Sequence, residues 1–205
     1  MEGKMTTLAI EAPSRPQVRT VTGRIPGNRG MWAGITCEFV EFIVLFAVYF
    51  VARAHFPDAF EQGAQRLSLA SGTAITLIMV TSSFFIACSV ATIRAGRRRQ
   101  SFWWLVAGLV VALGYPVVKF FEVQANLAQG INGEAGIFFT VYYYLTINHL
   151  VHSFWGILGI FWVLARHLGG AYSSDDYSGL EALASYWHAT DIIWLVIFQL
   201  CYVLA

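Results

Sequence analysis

The chain has 205 residues, 57% of them apolar and 12% charged, about half the charge of an ordinary soluble domain. A fold this small cannot hide so much apolar surface from water, so the composition excludes a soluble enzyme, a nucleic-acid binder and a disordered chain. Thirteen Lys and Arg against twelve Asp and Glu leave a net charge of +1, so position and not total carries the information.

In chain order, residues 1–30 read as a polar, disordered cytoplasmic tail rich in Pro and Arg, with no signal-peptide pattern. About 20 mainly apolar residues cross a bilayer. Five stretches qualify, near 31–52, 72–93, 102–121, 137–165 and 183–204, so the expected architecture is one domain over 31–205, an all-α bundle of five transmembrane helices. The second span, with its TLIMVTSSFFIACSVAT run, has the small and hydroxyl residues that let membrane helices approach closely. Trp103, Trp104 and Trp155 read as interfacial anchors or packing. Cys37, Cys88 and Cys201 lie in apolar runs without metal spacing and read as buried hydrophobes.

Basic residues concentrate in the tail and in the run Arg94, Arg97, Arg98 and Arg99 between spans two and three. Lys/Arg-rich connections stay in the cytoplasm, which predicts a cytoplasmic N-terminus and a C-terminus on the opposite side. The same run fits an anionic-lipid or nucleic-acid patch; topology anchoring is the plainer reading.

Each ionisable group in hydrocarbon costs roughly 2.5–3.5 kcal/mol on insertion scales and so asks for a reason. The spans hold Glu38 and Glu41, Lys119 and Glu122, His149 and His152, and His188 and Asp191. Every pair is spaced i, i+3 and shares a helical face. Lys119 and Glu122 are expected at the far rim as an ion pair snorkelling to water. Glu38, Glu41, His149, His152, His188 and Asp191 are expected to form one buried polar network. Its functional reading is a proton relay or lipid-headgroup ligand; the plainer one is a set of interhelical hydrogen bonds. Neither Glu-x-x-His nor HExxH is present, so no metal site and no catalytic residue is expected.

The segments RGMWAGITCEFVEF, LTINHLVHSFWGILG and YWHATDIIWLVIFQLCYVL resemble three signature helices of the haem-copper oxidase subunit III family. Cys37-Glu38 stands where the family carries Ser-Glu. His149, His152 and Gly156 match its Gly-x-His-Gly-x-His-x-x-x-Gly helix, and Tyr186, Trp187, His188, Asp191 and Trp194 match Tyr-Trp-His-x-x-Asp-x-x-Trp. LGYPVVKFFEV resembles the family's Leu-Gly…Glu helix and places Glu122. Five spans resemble the short bacterial branch, which includes NorE-type proteins of nitric oxide reductase and the third subunits of some oxidases. Asn148 and Leu150 in place of glycines, the added Glu41 and the FTVYYYLT lead-in favour the NorE-like side.

The resemblance implies a non-catalytic accessory subunit of a respiratory complex in the bacterial cytoplasmic membrane. It implies no intrinsic redox cofactor, bound structural phospholipid, and haem and metal only in a catalytic partner, the haem-copper-type subunit of a nitric oxide reductase or an oxidase. It also implies that Glu38 corresponds to the family's carbodiimide-reactive carboxylate and supports proton uptake. An autonomous membrane metalloenzyme using Glu38, Glu41, His149, His152 and His188 is the competing class. A small transporter is a third, weakened by the lack of an inverted repeat or a broken span.

Overall fold

The computed structural model describes residues 25–204; residues 1–24, most of the expected tail, lie outside the described residues. Asn28 opens the first helix by accepting the Met31 N–H at 2.8 Å, so α1 spans Arg29–His55. Pro57 stops α1 and begins the short amphipathic α2, Pro57–Gln65, which lies inside the first connection and was not expected from apolar run length. Ser68 caps α3, Leu69–Arg94, and a turn through Gly96 at φ +73° leads into α4, Arg98–Ala112. Pro116 offers no N–H to the Ala112 carbonyl, and the column breaks at Leu113 before continuing as α5, Gly114–Ala128. The third predicted span is thus two stacked helices, running seven residues further than expected. The last two columns are α6, Ile137–Leu168, and α7, Ser178–Phe198, the latter extended by a π-turn over Gln199–Val203.

The described chain is an all-α membrane bundle of five columns. Four of them, α1, α3, α4–α5 and α6, are long and apolar enough by length and composition to cross a bilayer. The fifth, α7, is diluted by Glu181, His188 and Asp191, and it packs on α1, α3 and α6. Small residues make that packing possible. A Cβ on Gly156 of α6 would come within 2.7 Å of the Trp187 ring, so this pair of helices needs glycine there.

Two ends can be told apart. Gly27 reaches Glu181 at the start of α7, while Arg53 near the end of α1 donates to the Leu204 carbonyl at 2.6 Å, so α1 and α7 run parallel. The arginine end holds the starts of α1 and α7, together with the α3–α4 and α6–α7 connections. There Arg94 pairs with Glu181 at 2.7 Å, and Arg98 donates to the His167 carbonyl at 2.8 Å. The second end holds α2 and the close of the chain.

Candidate functional site

The eight ionisable residues singled out from sequence do not form one network plus a rim pair. They fall into four groups, set apart by the faces of α6 and α7 that carry them.

The first group sits toward the second end. Lys119 Nζ donates to Glu122 Oε2 at 2.9 Å, to Tyr142 OH at 2.9 Å and to Tyr202 OH at 3.4 Å. Its three N–H bonds thus find three acceptors. The tyrosines in turn donate to Glu122 Oε1, Tyr142 at 3.1 Å and Tyr202 at 2.7 Å. The expectation of a snorkelling rim pair is corrected here: Lys119 is 1% exposed and Glu122 3%. The pair is capped by α6 and by the π-turn, whose winding delivers Tyr202. Two ions this deep are stable only when their remaining hydrogen-bonding capacity is satisfied, which the tyrosines accomplish.

A second group locks α6 to α7 and α5. His149 Nε2 lies 3.1 Å from the Thr190 carbonyl, which can only accept, so that nitrogen carries the hydrogen. Nδ1 then accepts from Tyr115 OH at 3.0 Å. The ring is wholly buried against Trp194 and Tyr115 and is satisfied as a neutral imidazole.

The third group lies on the opposite face of α7. His188 Nδ1 meets Ser83 Oγ of α3 at 2.7 Å, and Asp191 lies beside the same serine. Asp191 Oδ1 is buried without a partner. Neither residue touches the Glu38 region, which corrects the expectation of a single network.

The fourth group is open. Glu38 of α1, 3% exposed, receives the Thr190 hydroxyl at 3.2 Å through Oε1, while its Oε2 has no partner. One turn on, Glu41 is half-exposed and accepts from Asn148 Nδ2 at 2.5 Å; its Oε2 stands 3.4 Å from His152 Nε2. His152 Nδ1 donates to the Asn148 carbonyl at 3.0 Å, so Nε2 is the ring nitrogen that faces the Glu41 carboxylate. Glu38, Glu41, His152, Cys37 and Tyr186 line a groove of about 420 Å³, floored by Gly30 and Gly34. Cys37 is exposed there rather than buried.

Next to this groove, toward the arginine end, lies a cleft of about 560 Å³ between α1, α6 and α7. Trp155, Trp162, Met31 and Leu183 give it an apolar wall, and Arg166, Tyr172 and Asp176 a polar mouth. Burial pushes the Tyr172 phenol above its ordinary acidity range, so it stays a neutral hydrogen-bonding group. Tyr186 lines both cavities, so they adjoin.

The groups that sequence reading missed are the hydroxyls of Tyr115, Tyr142, Tyr202 and Thr190; the α3 run it singled out for close packing supplies Ser83 and Thr76, the latter accepting Trp194 Nε1 at 2.9 Å. Thr76 and Ser83 stand seven residues apart on one face of α3, a spacing that marks them as contacts to a single neighbour. Among the described residues, no three His, Cys, Asp or Glu side chains converge as a metal site.

The fold and its inward-turned polar groups define a multi-pass, all-helical membrane protein. No protein-family model matches the chain. It is similar over its whole length to proteins named cytochrome c oxidase subunit 3. That of Thermostichus vulcanus is 28% identical over 100% of this chain and 96% of its own length. That of a Synechocystis species is 29% identical over 83% and 72% respectively. A protein of Aeropyrum pernix named heme-copper oxidase subunit I+III is 25% identical over 84% of this chain and 22% of its own length. These relatives are low in identity, and their similarity extends over most of this chain.

Proposed function

We propose that the chain is a non-catalytic accessory subunit of a haem-copper-type respiratory complex. The observation that carries this reading is similarity to oxidase third subunits along nearly the entire chain, with Glu38 and Asp191 turned into the bundle. The fused name of the Aeropyrum relative supports a catalytic haem-copper subunit as the partner. Haem and metal belong to that partner. The chain's own residues supply shape, lipid contact and a protonatable groove. The relatives' names favour an oxidase as the parent complex. One observation favours the NorE-like alternative in nitric oxide reductase: Glu41 and Asn148, which depart from the oxidase pattern, interlock with each other and with His152.

In this reading the bundle sits in the bacterial cytoplasmic membrane with the arginine end in the cytoplasm. A structural phospholipid lies in the cleft between α1, α6 and α7, its phosphate toward Arg166 and an acyl chain along Trp155 and Trp162. Glu38 and the Glu41–His152 pair exchange protons through the adjoining groove. Glu38→Gln in the assembled complex lowers proton-coupled turnover; unchanged turnover per complex reduces the groove to packing.

Purification in a gentle detergent, with identification of the accompanying haem proteins, tests the assignment. Recovery with an oxidase or nitric oxide reductase catalytic subunit is expected and also decides between the two parents. Stoichiometric iron or copper in the chain purified alone overturns the accessory role.

A further inference from the structure

The arginine run between α3 and α4 is only half used by the fold. Arg94 is committed to Glu181 and stacks on Tyr177, with its guanidinium carbon 5.5 Å from the ring centre. Arg98 is committed to the His167 carbonyl. Topology anchoring needs nothing more of the run than its charge, yet the other two arginines are arranged differently. Arg97 and Arg99 are exposed, and Arg97 lines a notch of about 540 Å³ on the outer face of the α3–α4 hairpin. Thr92, Gln100, Trp103, Trp104 and Ala107 complete it.

The lining is graded. Arg97 and the Gln100 amide are donors at the mouth, while Ala107 and the Trp104 ring, packed on Phe85 at 5.5 Å, form an apolar floor about two helical turns deeper. Thr92 spends its hydroxyl hydrogen on its own helix, so the donors at the mouth are the arginine and the amide, with the Trp103 and Trp104 indoles deeper in. The notch contains no acidic side chain, whereas the α1–α6–α7 cleft sets Asp176 beside Arg166 and the central groove holds two glutamates. A zwitterionic headgroup would bring an ammonium against uncompensated arginine. A headgroup of net negative charge would not.

From this we infer that the α3–α4 notch is a selective site for one anionic phospholipid, separate from the cleft between α1, α6 and α7. The phosphate sits against Arg97 and Gln100, with the exposed Arg99 adding charge beside the notch, and an acyl chain runs down over Ala107 along Trp103 and Trp104. The size suits a headgroup and the first part of one chain, and the charge pattern is that of basic pockets that hold acidic lipids beside membrane helices. The site concerns this chain's outer face and does not depend on which catalytic partner it joins.

The test is native mass spectrometry of the full chain in detergent, offered equal phosphatidylglycerol and phosphatidylcholine of identical acyl chains. The unaltered chain retains one phosphatidylglycerol with a preference of about thirtyfold, the scale two surface arginines supply. Arg97→Gln with Arg99→Gln brings the preference near parity. Arg29→Gln with Arg66→Gln, which removes the same charge elsewhere, preserves it. Ala107→Trp fills the floor while leaving every arginine in place, and it also abolishes selective retention, so the inference stays testable if the double arginine variant does not fold. No preference in the unaltered chain, persistence in the Arg97/Arg99 variant or in Ala107→Trp, or equal loss in the Arg29/Arg66 control overturns the site.

Discussion

The buried ion pair near the second end and the groove around Glu38 are built from the same kinds of residue, a carboxylate with a basic neighbour on membrane helices. Their hydrogen bonding differs. Around Lys119 and Glu122, two tyrosines absorb the remaining donors and acceptors, and both side chains are almost wholly buried. Around Glu38, one oxygen is left over and the neighbouring Glu41 and His152 are partly open. A charge whose capacity is exhausted by its surroundings fastens helices together. A buried carboxylate with an unfilled oxygen beside a groove keeps capacity for a proton, a water or a ligand. The lesson is that the chemistry of an intramembrane acid lies in its leftover hydrogen-bonding capacity more than in its burial.

Lys119→Met strikes the closed cluster hardest. It strands Glu122 in the interior and is expected to cost about 3–5 kcal/mol, read as a large fall in the thermal midpoint in detergent. Adding Glu122→Gln should return most of that loss, because the stranded charge disappears; failure of the second change to recover stability would break the comparison. Gly156→Leu drives a side chain into Trp187 where a Cβ alone would sit 2.7 Å away, and the expected cost is about 1–3 kcal/mol by the same measurement. Ser83→Ala removes the α3 contact to His188 and should cost only about 0.6 kcal/mol, the usual scale of a hydrogen bond between membrane helices.

How legible these features are in the sequence depends on how local they are. The columns α1, α3 and α6 follow from apolar run length, which is a property of contiguous residues. The nine-residue α2 is too short and too polar to register that way, and its start at Pro57 is the one local signal it carries. The expected end of this span falls seven residues before the end of α5 because Lys119 and Glu122 read as the edge of the membrane, although both face the interior. The i, i+3 spacing identified Lys119 with Glu122 as partners, but their burial depends on Tyr142 and Tyr202, 23 and 83 residues from Lys119. His149 and His152 share a spacing and diverge in fate: about 60° of helical rotation separates them, enough to aim one into the core and the other at the groove. His188 and Asp191 were grouped with Glu38 by depth alone. Depth along an axis does not say which side of α7 a residue occupies.

The contrast between the saturated and unsaturated carboxylates is tested most directly by treating the membrane-embedded chain with a hydrophobic carbodiimide and locating the adduct by peptide mass spectrometry. Modification of Glu38 with Glu122 untouched is the predicted result. Labelling of Glu122 in the folded protein, or an unreactive Glu38, would contradict it.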